Sequence, residues 1–140
     1  MIRRTPLCVV LPGLVLSACL LAGSALAAPL TFQATDAPAG SAVLEVQADA
    51  LVTMTTLPFR LLIKDAAGKP LTGAKVSCDL SMPSMSMPEN HPQITERNGA
   101  YTGEMVLTCT MGDWRATCTA DDANGQRQTM TFNLGTARMK

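Results

Sequence analysis

The chain has 140 residues, a formal net charge of zero, 16% charged residues and only 4% aromatic ones. With no basic face, arm or run of like charge, it lacks the clustered Lys and Arg that phosphate contacts require, and nucleic acid is set aside as a partner. The roughly 113 residues from Ala28 onward suffice for one domain and are too few for two.

Residues 1–27 read as a secretory leader. Arg3 and Arg4 form a charged start, Leu7 to Ala22 an apolar stretch, and Ala25-Leu26-Ala27 a small-residue cleavage site. Leu16-Ser17-Ala18-Cys19 offers the alternative of lipoprotein processing before Cys19, the one route by which the membrane becomes a partner. Pro12 and Gly13 interrupt the apolar run and no basic flank follows it, which argues against a retained membrane helix. Either processing route places the folded part in the periplasm, soluble or membrane-anchored. Disulfides persist there.

After the leader, apolar residues recur with period two. Leu30–Gln33 is a short first strand or ordered lead-in within residues 28–40, closed by Asp36-Ala37-Pro38-Ala39-Gly40. Ser41 to Gln47 alternates as a strand, and Val52 to Lys64 is a long extended segment in which Pro58 predicts a break, bulge or change of sheet. Asp65 to Pro70 forms a turn around Gly68. Ala74 to Leu80 places Val76, Cys78 and Leu80 on one face, and a further short strand is expected at Gln93 to Thr95. Tyr101, Gly103, Met105, Leu107 and Cys109 share the parity of another strand. Met111-Gly112-Asp113 then predicts a tight hairpin into a strand carrying Trp114, Ala116 and Cys118. Asn124-Gly125 is a strong hairpin signal leading to the last strand, Gln126 to Leu134, and 135–140 is expected to be a frayed tail. About seven short strands divided by turns predict an all-β, immunoglobulin-like antiparallel β-sandwich over residues 41–134. Trp114 and Tyr101 are its expected aromatic anchors.

Three cysteines follow the leader, so either one disulfide forms beside a free thiol or all three stay reduced. Cys109 with Cys118 is the favoured pair because both fall on strands expected to be neighbours. Cys78 would then be a soft ligand or an inert buried thiol.

The stretch from Cys78 to Pro92 concentrates the chemistry. It holds three thioethers, Met82, Met85 and Met87, the thiol of Cys78, and His91, the chain's single histidine. Pro83, Pro88 and Pro92 keep it out of a helix. Soft sulfur donors select Cu(I) over harder divalent ions, so Met82, Met85, Met87, His91 and Cys78 are the candidate metal ligands, with Cu(II) through His91 as a variant. Against this stands packing, since methionine also fills gaps in cores and adapts to partner surfaces. One His between Asn90 and Pro92, with no nucleophile motif, no phosphate loop and no H-E-x-x-H, leads to the expectation that the protein is not an enzyme.

Met82-Pro83-Ser84-Met85-Ser86-Met87-Pro88, then Gly99-Ala100-Tyr101, then Met111-Gly112-Asp113-Trp114, resembles in order and spacing the YtkA-like/FixH-like family of exported β-sandwich domains, over roughly residues 41–134. The resemblance implies an immunoglobulin-like sandwich, periplasmic or tethered, linked to copper handling or to the assembly of copper-containing respiratory oxidases. The expected partner is thus an envelope protein of that kind. Unlike FixH-like proteins, this chain is expected to keep no transmembrane helix. Two functions follow as expectations: buffering or transfer of Cu(I) through the Met-rich loop, or a metal-free adaptor that docks another envelope protein on it.

Overall fold

Alternation decides which side of each strand is buried. In β2 (Ala42–Val46) and β3 (Thr56–Ile63), Ala42, Leu44, Val46, Leu57, Phe59, Leu61 and Ile63 turn inward while their neighbours face outward. β4 (Lys75–Ser81), β7 (Asp113–Asp121) and β8 (Arg127–Thr136) do the same with Cys78, Leu80, Trp114, Ala116, Cys118, Ala120, Met130, Phe132 and Leu134. β1 (Leu30–Gln33), β5 (Ile94–Arg97) and β6 (Ala100–Val106) complete eight strands. This computed structural model describes residues 28–38 and 40–140, and the expected leader, with its alternative end before Cys19, lies outside the described residues.

The strands form two antiparallel sheets, β1-β2-β3-β6-β5 and β4-β7-β8, and the two apolar faces meet in a single core. The all-β sandwich predicted from the sequence is observed. Its anchors are also as expected: Trp114 and Tyr101 are each 1% exposed. The Tyr101 hydroxyl donates to Leu71 O over 2.7 Å and accepts from Ala74 N–H, fastening β6 to the connection that crosses between sheets into β4.

Several local expectations need correction. Pro58 does not break its strand. It lies inside β3 opposite Glu104, and Gln47 N–H donates to its carbonyl at the point where the β2 ladder has ended. A strand residue's N and O point to the same edge, so the missing N–H of Pro58 leaves the β6 ladder intact and costs only the return bond to Gln47, one rung beyond the end of β2. Gly112-Asp113 is not a hairpin: β6 and β7 belong to different sheets, and residues 107–112 cross from one to the other. The two-residue hairpin lies at Asn98-Gly99, between paired Arg97 and Ala100, with φ of 51° and 78°. Two successive positive φ angles are what a type I′ turn demands and what Asn-Gly supplies. Asn124-Gly125 does join β7 to β8, but within a longer loop in which Asp122 Oδ1 accepts from Asn124 N–H and Gln126 N–H. The tail is tied down rather than frayed. Arg138 N–H donates to Leu51 O and Thr53 N–H to Arg138 O, each over 2.9 Å, and Ala137 is buried.

The lead-in also belongs to the sandwich. Thr35 N–H donates to Thr131 O, and Asp36 accepts from both Thr131 N–H (2.8 Å) and Thr131 Oγ1 (2.9 Å), clamping the segment after β1 to β8. The Thr131 backbone N–H holds the Asp36 carboxyl below its ordinary value of 3.8. A carboxylate depressed on folding stabilises the fold above its unfolded pKa and ceases to do so as pH falls through the folded value. Asp36→Ala is therefore expected to cost about 1 kcal/mol near neutral pH, little because the group is exposed. The gap from the unsubstituted protein should shrink as the medium is acidified below 3.8, as urea melts at several pH values would show.

Candidate functional site

β4 ends at Ser81 and the chain turns at once. Met85 N–H donates to Met82 O over 3.2 Å across Pro83 and Ser84, with proline in the position whose φ it already satisfies. The chain then doubles back along β4. Leu80 N–H donates to Asn90 O over 2.9 Å, and Asn90 Nδ2 donates to Val106 O over 3.1 Å. One asparagine thus straps the edge of the small sheet to β6 in the large one, and covers backbone groups of β4 that would otherwise stand open.

This path sorts the five expected ligands. Met82 is 2% exposed and belongs to the core. Met87 is half-buried against the core, whereas Met85 is 45% exposed. His91 is exposed beside Cys78 and Asp79 on the β4 edge.

Cys78 is withdrawn as a ligand, because it forms a disulfide with Cys118; Cys109 is the free thiol. The pairing expected between Cys109 and Cys118 fails because the strand after Cys109 is not a neighbour of β6. Cys78 and Cys118 instead face each other directly in the β4–β7 register, with Cα atoms 4.0 Å apart. Leu80 N and Cys78 O both point to the outer edge of β4, toward Asn90 and His91, so the Cys78–Cys118 rung is one without ladder hydrogen bonds. Such rungs bring side chains closest.

The same outward carbonyl orients the histidine. His91 Nδ1 lies 3.3 Å from Cys78 O, and since a carbonyl can only accept, this contact favours the tautomer with its hydrogen on Nδ1, the one that leaves the Nε2 lone pair for a ligand. Asp79 Oδ1 is 3.7 Å from Nδ1 and Glu89 Oε2 is 3.6 Å from Nε2. The two carboxylates flank opposite nitrogens and do not converge. Among the described residues no three His, Cys, Asp or Glu side chains gather as a metal-holding group. A set of hard or borderline donors for Cu(II) is therefore not assembled around His91.

Sequence reasoning missed how many methionines share this end of the sandwich. The end formed by the start of β3, the ends of β4, β6 and β8 and the start of β7 carries Met54, Met85, Val106, Met111 and Met139, which are all of the large exposed apolar side chains among the described residues. Met54 N–H donates to Leu107 O, and Arg138 is bonded to Thr53, so these loops adjoin. Met111 is 82% exposed, in a turn where its N–H donates to Cys109 Sγ over 3.4 Å and Trp114 Nε1–H donates to Cys109 O over 2.9 Å. A Cβ on Gly112 would stand 2.7 Å from Ser84 Oγ and 2.9 Å from Met82 Cε, so this turn lies against the Met-Pro loop and a side chain here would displace the ends of both neighbours. Pro83, Ser84, Met111 and Trp114 line an open groove of about 730 Å³ beside it. The clue available in the sequence was that Met54, Met111 and Met139 flank turns or the terminus, where an apolar residue cannot be buried by alternation.

No curated protein and no solved structure gives a significant match to the chain. The profile of the YtkA-like family matches residues 33–119, from the last residue of β1 almost to the end of β7. With more than half of its length so matched, the protein belongs to the YtkA-like family.

Proposed function

We propose that the protein is a non-catalytic periplasmic copper-binding protein that holds Cu(I) at the Met-Pro loop, to buffer it or pass it on. The observation that carries this reading is the donor set left accessible once the fold has taken Met82 and Cys78 for itself: the thioethers of Met85 and Met87 and the outward Nε2 of His91. Two thioethers and an imidazole suit Cu(I), whereas the scattered carboxylates do not make a site for a harder ion. The Cys78–Cys118 disulfide supports an oxidising compartment outside the cytoplasm. Donors on an exposed loop favour exchange with a partner, which transfer requires, and an envelope copper-handling or oxidase-assembly protein is the recipient that fits.

An anaerobic Cu(I) competition against a chromophoric chelator tests this. One equivalent should bind, and Met85→Leu with Met87→Leu, which removes two donors, should weaken binding at least about tenfold, or about 1.4 kcal/mol. His91→Ala should weaken it in the same direction. No competition by the unsubstituted protein would sink the proposal. The exposed Val106 and Met54 at the same end favour a second reading, a metal-free docking surface for an apolar partner. Leucine replacements preserve apolar contact, so partner binding that survives Met85→Leu and Met87→Leu while no copper binds would select it.

A further inference from the structure

Resting on the Cu(I) reading, we propose that the turn between β6 and β7 supplies a second arm of the same site, with Met111 Sδ and Cys109 Sγ as further soft ligands facing the Met-Pro loop. Three independent features lead there. The first is contact: the missing side chain of Gly112 lets the 109–112 turn lie directly on Met82 and Ser84, within one β-turn of Met85. The second is the disposition of the donors. Met111 is almost wholly exposed on the rim of the groove it shares with Pro83 and Ser84, and Cys109, the one cysteine outside the disulfide among the described residues, is half-buried beneath it. The third is preorganisation. Trp114 Nε1–H fixes the Cys109 carbonyl and Met111 N–H is turned to Cys109 Sγ, so both sulfurs are carried by one short turn anchored to the largest buried side chain of the core.

The chemistry fits this arrangement. Methionine has three rotatable bonds, so thioethers from two abutting loops can converge on one soft ion without backbone movement, and a thiolate adds the charge that thioethers lack. A cargo gripped from two loops is also released stepwise, one arm at a time.

The test follows Cys109 directly in the unsubstituted protein. Under anaerobic conditions with ascorbate, iodoacetamide should alkylate Cys109 at least about tenfold more slowly after one equivalent of Cu(I) is added, by mass spectrometry of the intact chain. Met111→Leu and Cys109→Ser should each weaken Cu(I) binding about tenfold, and each should lower by one the number of sulfur neighbours seen by copper X-ray absorption. Both positions lie on a surface turn, and the alkylation arm needs no variant at all. If Cu(I) binds, is lost with Met85→Leu and Met87→Leu, and yet leaves Cys109 alkylation and the affinity of Met111→Leu unchanged, the second arm is overturned while the copper reading stands. If the unsubstituted protein takes up no Cu(I), both fall together.

Discussion

Replacing Trp114 with alanine is expected to destabilise the domain by about 3–5 kcal/mol, the range for emptying a buried tryptophan site. Trp114 is the largest buried side chain and is 1% exposed, so its removal leaves a void between the two sheets that their backbones cannot close. It also strips the Cys109 carbonyl of the indole N–H that bonds it. Trp114→Phe separates the two losses. It keeps most of the apolar contact and gives up the hydrogen bond, so it should cost about 1–2 kcal/mol. Urea melts followed by far-ultraviolet circular dichroism provide the measurement, because the protein has no second tryptophan to report fluorescence. If Trp114→Ala melts within about 1 kcal/mol of the unsubstituted protein, Trp114 is not the anchor of the core. Both variants also bear on the proposed second arm, since the turn that carries Met111 is held by this indole.

Removing the disulfide is expected to have a comparable effect. Cys78 and Cys118 are 40 residues apart in sequence, and closing a loop of that length restricts the unfolded chain by about 4 kcal/mol. A double replacement, Cys78→Ala with Cys118→Ala, should therefore lose about 2–4 kcal/mol in the same melts. Cys109→Ser should stay within about 0.5 kcal/mol, since that residue is half-buried and unpaired. Equal losses in the two experiments would contradict the pairing observed. The disulfide also lies under the copper reading, because the Cys78 carbonyl fixes the ring of His91.

Strand positions were readable because a half-buried strand must alternate, and β2, β3, β4 and β7 alternate cleanly between core and solvent. Which strands adjoin was not readable in the same way. Residues 107–112 are as short as a hairpin loop, and only packing of the two apolar faces tells a hairpin from a crossing between sheets. The pairing of Cys109 with Cys118 failed for that reason alone. The turn at Asn98-Gly99 was overshadowed by the same dipeptide at 124–125, although positive φ at both residues makes it the tighter of the two. In the candidate site, the composition of the Met-Pro loop was plain but its partition was not. Met82 and Met87 differ from Met85 only in which way the backbone turns after Pro83, and the return path past Asn90 decides that. The crowding of Met54, Met111 and Met139 at the same end needed the topology, since these residues are far apart in sequence.

Asn90 gives the Met-Pro loop a structural duty of its own. By lying along β4 and reaching Val106, it occupies hydrogen-bonding positions that a β-strand from another molecule would otherwise take. The segment proposed to handle copper is therefore also the guard of an open flank. Shortening it between Pro83 and Glu89 would pull Asn90 off β4 and open that edge to stacking against another strand, so the length of this loop is constrained as well as its Met, His and Asn side chains.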